Sequence, residues 1–278
     1  MGEAGKIGLI AGGGALPHDV IRAAKHQGYD VFVAALRGFV EPEDFAVPAD
    51  AFGFGELRGL IKRFKQENCT HVTMVGTVSR PDFSTIKPGI RDLPLLAKII
   101  SAATKGDDAL LKFMVSLFEK EGFTILAPQD VLGSSLMETG VLGKIQPSSS
   151  QHKDIDKALH IAALIGAQDI GQGAVVHKGL VLAVEAQEGT DKMLERVANL
   201  PVEIRGGVLA KCLKPGQEER VDLPTIGIKT VELAAAAGLT GIVLVAGKAF
   251  VMERSNVRAL ADKYGIFVYG VKPEGSHD

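Results

Sequence analysis

The chain has 278 residues, 46% of them hydrophobic and 23% charged, with a formal net charge of −2. That length and apolar content suit two medium-sized cores, and the near-neutral balance supplies no basic field to draw the protein onto nucleic acid. Two distant cysteines, Cys69 and Cys212, argue against a disulfide framework or a thiolate zinc site, and neither a signal peptide nor an apolar run of about 20 residues is present, so a cytoplasmic protein, at most peripheral to a membrane, is expected.

Apolar runs at 7–11, 31–35 and 71–77 read as strands and alternate with helix-period segments at 17–27 and 56–67, the pattern of a parallel sheet covered by helices. Helices follow at 93–103 and 108–120, the second with Leu110, Leu111, Met114, Leu117 and Phe118 on one face, and then a short strand at 123–126. Small polar residues with proline at 146–150 bury little and read as a linker. They divide the chain into a Rossmann-like α/β domain over 1–145 and a second α/β domain with a mixed sheet over 150–278. The second begins with a helix at 154–165, followed by strands at 174–177 and 180–186 joined by a Lys-Gly turn and a helix at 191–199 capped by Thr190. Strand, helix, strand, helix and strand complete it at 208–212, 230–237, 241–245, 255–264 and 266–269.

Chemistry is suggested at several places along this frame. Gly12, Gly13 and Gly14 follow the first strand and open a helix, so their amides are candidates for a phosphate. The dinucleotide fingerprint is broken, with Pro17 where its third glycine belongs and Arg37 where an acid would hold a ribose. Arg80 leaves the third strand at the edge where open parallel sheets bind ligands. Glu185 ends an otherwise apolar strand and runs into an acidic turn with Glu188 and Asp191, a candidate platform for a divalent cation. Lys214, Arg220 and Asp222 follow; spacing of two puts Arg220 and Asp222 on one face of an extended segment, the first for phosphate and the second for metal or water. The seven histidines form no zinc motif, and no serine has the Gly-x-Ser-x-Gly setting of an activated nucleophile.

Gly-Leu-Ile-Ala-Gly-Gly-Gly-Ala-Leu-Pro at 8–17, Arg80-Pro81, Asp-Ile-Gly-Gln at 169–172, Ala-Val-Glu-Ala-x-Glu-Gly-Thr-Asp at 183–191 and Lys-Pro-x-Gln-x-x-Arg-x-Asp-x-Pro at 214–224 together resemble the LpxI family of UDP-2,3-diacylglucosamine pyrophosphatases. Glu218 departs from the pattern, which has Asp there. The resemblance implies Mg²⁺-dependent hydrolysis of UDP-2,3-diacylglucosamine to UMP and 2,3-diacylglucosamine 1-phosphate (lipid X) in lipid A biosynthesis. It further implies Asp222, Arg220, Lys214 and Glu188 as catalytic residues and Glu185, Asp191 and Asp222 as metal ligands. Substrate contacts would come from Gly12, Gly13, Gly14, Arg80, Gln172, Thr190 and Gln217. A transient contact with the inner-membrane surface follows from a lipid substrate, and a homodimer is the default assembly. The alternative is a non-catalytic regulator that binds a nucleotide sugar and breaks no bond.

Overall fold

A computed structural model describes residues 5–78, 86, 92–132, 135–214, 216, 218, 220 and 223–273. The chain divides into two compact units: Met1–Gly133 with Glu218–Asp222, and Ser134–Gln217 with Leu223–Asp278.

The first unit contains β1 (Lys6–Ala11), α1 (Leu16–His26), β2 (Asp30–Leu36), β3 (Ala49–Phe52), α2 (Leu57–Gln66), β4 (Cys69–Val75), α3 (Leu93–Ala103), α4 (Asp107–Lys120), β5 (Thr124–Ile125) and α5 (Pro128–Val131). Its five strands are parallel in the order β3-β2-β1-β4-β5, the Rossmann-like arrangement expected from alternating strands and helices. The central strands are covered on both faces, which is why they read as continuous apolar runs. One face packs Phe32, Phe64, Phe118 and Phe123 against each other, with ring centroids 5.9 to 6.4 Å apart. The Phe64 ring lies where a side chain on Gly8 would stand, 2.7 Å from its ideal Cβ. Of the apolar residues expected on α4, Phe118 is fully buried, and the remainder pack partly buried around it with Val115.

The second unit contains β6 (Gly140–Val141), α6 (Ser149–Ala167), β7 (Gly173–His177), β8 (Leu180–Val184), α7 (Gly189–Ala198), β9 (Val208–Lys211), β10 (Thr225–Ile226), α8 (Ile228–Ala236), β11 (Gly241–Val245), β12 (Phe250–Val251), α9 (Arg254–Tyr264) and β13 (Phe267–Val271). Its mixed sheet runs β6-β13-β11-β9-β7-β8, with β9, β11 and β13 parallel and the β7–β8 hairpin antiparallel at one edge. Helices α7, α8 and α9 bury Met193, Leu194, Val231 and Val257 with Val175, Leu209 and Ile242 on one face of the sheet. On the other face α6 buries Ile155 and Ala158 with Val176, Val208 and Val243.

Two local expectations change. The stretch read as a linker opens α6, because the Ser148 amide donates to Gln151 Oε1 at 2.7 Å, half of a capping box. Thr190 does not cap α7; it sits inside the first turn, with Glu188 at the cap position.

The Lys-Gly turn between β7 and β8 is confirmed and has a buried anchor. Lys178 and Gly179 take φ of +48° and +76°, and their amides donate to the Asp154 carboxylate on α6 at 2.8 and 2.7 Å. Asp154 is buried, so its removal strands two amides as well as losing two charge-assisted bonds. Asp154→Ala is expected to destabilise the second unit by about 2–3 kcal/mol, while Lys178→Asn stabilises it by about 0.5–1 kcal/mol because asparagine tolerates the left-handed region. Urea unfolding of the two variants reads both; coincident midpoints with wild type would refute the anchor.

Candidate functional site

The glycine loop is shaped by a close approach of two backbones. Gly12 donates to Val75 O at 2.8 Å, and Gly13 and Thr77 exchange amide–carbonyl bonds at 2.8 Å each. A Cβ on Gly12 would lie 2.8 Å from Thr77 O, and one on Gly76, at φ +102°, would lie 2.7 Å from the Gly12 backbone. The amides of Gly12 and Gly13 therefore pair with the exit of β4 and are not aimed at a phosphate, which corrects the expectation for these two residues. Gly14, at φ +93°, has only Thr77 Oγ1, at 4.0 Å, near its missing side chain.

In the second unit the acidic turn is built around Glu185. Its amide donates to Gly173 O at 2.8 Å and so continues the β7–β8 register by one residue. The side chain is 6% exposed. Oε1 accepts the Thr190 hydroxyl at 3.1 Å, whereas Oε2 is buried with no hydrogen-bond partner. The carboxylate lies over Gly173, whose ideal Cβ would be 2.6 Å from Oε2, and Gly171 clears the Glu185 carbonyl in the same way, at 2.1 Å. The glycines of the 169–173 stretch thus serve the seating of Glu185.

That row continues into a residue with no part in the sequence expectations. Gly173 stands opposite Lys211 on β9, and Lys211 opposite Leu244 on β11. Residues directly opposite each other point to the same face, here the face covered by α7, α8 and α9. Lys211 is 5% exposed, and its ammonium donates to Thr225 O at 3.2 Å. A carboxylate and an ammonium are buried on one face with a glycine between their strands. No periodicity marks Lys211, because a lysine ending a strand reads as its solvated end.

The remaining charged candidates among the described residues are in ion pairs. Asp191 accepts Lys229 Nζ at 2.7 Å, which raises the lysine above its usual range. Glu188 pairs with Arg196; a hydrogen bond at its own backbone, reinforced by that guanidinium, holds its carboxyl below the usual range. Lys214 Nζ is 2.7 Å from Asp169. In the first unit Arg220 forks onto Glu218, Nε to Oε1 at 2.8 Å and Nη2 to Oε2 at 2.9 Å, and reaches Glu119 through Nη1 at 2.7 Å. The Glu218 amide donates to Asp108 at 3.0 Å. Arg220 holds the Glu218 carboxyl below its ordinary value of 4.5. The Gln172 carbonyl oxygen accepts the Cys212 amide at 3.0 Å, and the Gln172 side-chain Oε1 is buried without a partner. Burial pushes the Cys69 and Cys212 thiols up to about 11, which argues against a thiolate nucleophile.

Arg80, Gln217 and Asp222 lie outside the described residues. Among the described residues no group of three or more His, Cys, Asp or Glu side chains is placed to hold a metal ion. Glu185, Glu188 and Asp191, read from their spacing as one platform, are turned to different surroundings. One turn of chain separates their backbones, but Glu185 points into the sheet and the other two hold surface cations. The donor chemistry still fits magnesium in a narrower form, since Mg²⁺ is commonly held by one or two carboxylates plus substrate phosphates, and Glu185 Oε2 is an orphaned oxygen.

Two family descriptions match the chain in succession: LpxI N-terminal domain over residues 6–135 and LpxI C-terminal domain over 138–269. A protein of Caulobacter vibrioides named UDP-2,3-diacylglucosamine pyrophosphatase LpxI is 51% identical over 275 residues, which is 97% of this chain and 98% of that protein. Among solved structures, the precorrin-6A reductase CobK is 11% identical with a TM-score of 0.30, covering 98% of this chain and 90% of its own. Thermus thermophilus UDP-glucose 4-epimerase in complex with NAD is 16% identical with a TM-score of 0.33, covering 98% and 88%.

The Glu218–Arg220 pair makes a pH-dependent prediction. Because the folded-state carboxyl ionises more readily than the unfolded one, the pair's contribution is complete above the ordinary value of 4.5 and is lost as pH falls through the lower folded value. Glu218→Gln is expected to destabilise the protein by about 1 kcal/mol at pH 7, with the difference closing in more acidic solution. Urea midpoints at pH 7 and pH 3 that differ from wild type equally would contradict it.

Proposed function

The chain belongs to the LpxI family, and from that membership we propose that it hydrolyses the pyrophosphate bond of UDP-2,3-diacylglucosamine, giving UMP and 2,3-diacylglucosamine 1-phosphate for lipid A synthesis. The match to the Caulobacter vibrioides protein carries this reading, since it covers 97% of this chain and 98% of that protein.

Hydrolysis of a diphosphate requires an in-line water and positive charge where the leaving oxygen becomes an anion. We assign Asp222 to orient that water and Arg80, Lys214 and Arg220 to phosphate oxygens. Lys214 pairs with Asp169, and Arg220 with Glu218 and Glu119, so phosphate binding exchanges one oxyanion partner for another. Gln172, Thr190, Gln217 and Gly14 are assigned to the polar parts of the substrate, and Glu188 to keeping the α7 turn in place through Arg196. Magnesium, proposed to be held by substrate oxygens with Glu185 and Asp222, would neutralise charge on the diphosphate when bound. No helix among the described residues is long and apolar enough to cross a membrane. We propose that the chain works in the cytoplasm as a homodimer and meets its lipid substrate at the inner-membrane surface.

The test is UMP release from UDP-2,3-diacylglucosamine, followed by ³¹P NMR and mass spectrometry with Mg²⁺ and with EDTA. Release is expected with Mg²⁺ and its loss with EDTA; a regulator that only binds nucleotide sugars would release none. Asp222→Ala should lower kcat at least about 100-fold while substrate still binds. A near-wild-type rate would remove Asp222 from its assignment.

A further inference from the structure

Lys211 occupies a position that stability alone would give to an apolar side chain. Its neighbours on the same face, Leu209 and Leu244, are fully buried, and taking an ammonium out of water costs several kcal/mol that a methionine of similar length would not. What the ammonium does is reach across the chain: it donates to the carbonyl of Thr225, the first residue of β10. Beside it, Cys212 donates to Gln172 O at 3.0 Å, which ties the near end to β7, and Phe250 donates to Pro224 O at 2.8 Å, which ties the far end to β12. The Lys211–Thr225 bond joins the two ends to each other. The stretch of sequence between them carries Lys214, Gln217, Arg220 and Asp222.

We propose that Lys211 is a positioning residue whose buried ammonium clasps the two ends of the 212–224 segment and thereby sets the placement of Lys214, assigned above to phosphate. The inference rests on the hydrolase reading for its consequence in catalysis, but the clasp itself can be measured without turnover.

Wild type, Lys211→Met and Lys211→Gln are compared by hydrogen–deuterium exchange over residues 213–224, by thermal unfolding and by UMP release. Lys211→Met is expected to keep or raise Tm, to speed exchange in that segment at least about tenfold, and to lower kcat at least about tenfold with KM within about threefold, the signature of lost positioning and not of lost binding. Lys211→Gln retains a donor for the Thr225 carbonyl and should recover most of the protection and of kcat. Unchanged exchange in Lys211→Met overturns the proposal. So does a fall in Tm, or a failure to fold, because either would mean that the charge is there for stability. Faster exchange with unaltered kcat would retain the clasp and overturn its catalytic consequence. If wild type releases no UMP, the hydrolase reading fails and the exchange comparison alone decides whether the clasp exists.

Discussion

The absence of a side chain at Gly173 is the constraint on which the polar row of the second unit depends. With no Cβ there, the Glu185 carboxylate folds flat over β7, its Oε2 only 2.6 Å from where that atom would stand. The same register sets Lys211 on the far side of the glycine, so opposite charges flank an empty strand position inside an otherwise apolar face. Each charge is expensive to bury. For Glu185 the Thr190 hydroxyl at the start of α7 offsets part of that expense, and the positive end of the helix favours a carboxylate there. For Lys211 the Thr225 carbonyl does the same. A core selected for stability would hold neither residue, which is the physical reason to connect both with function.

The first unit shows a different use of glycine. Its strand order is that of a nucleotide-binding sheet, but the loop after β1 engages the exit of β4 through Gly12, Gly13 and Thr77. The tight turn exists so that two backbones can meet, with Gly76 making room from the other side. Topology and loop composition shared with dinucleotide-binding folds therefore do not carry over to a shared use of the amides. The cations tell a related story. Arg220, Lys214 and Lys229 are each tied to carboxylates, pairs that contribute little to stability where exposed but hold long side chains in one geometry.

Much of this architecture was legible because it depends on local pattern. The central strands of the first unit and the helices with one apolar face follow from period alone, as does the Lys-Gly turn, where a glycine follows a residue that must take positive φ. The missed strands β3, β6, β10 and β12 are two to four residues long, too short for an alternation to stand out, and they exist only because a neighbouring strand offers them hydrogen bonds. The stretch at 146–150 reads as a linker because serine serves equally in linkers and at helix starts; Gln151 decides for the helix by reaching back to Ser148. Glu185 was found because a carboxylate at the end of an apolar run is conspicuous. Its separation from Asp191 was not, since helix α7 begins between them and turns their side chains to different surroundings.

By itself, then, the order of residues determined the alternation of strands and helices, the parallel sheet of the first unit and the charged stretches worth attention, because each is encoded over a few neighbouring positions. Only the tertiary structure decided which of those charges are buried and which face solvent. That outcome depends on register between strands distant in sequence: pairing Gly173 with Lys211 is what turns a strand-end lysine into a buried cation on the same face as Glu185. A shift of one residue would turn both side chains to the opposite face of the sheet.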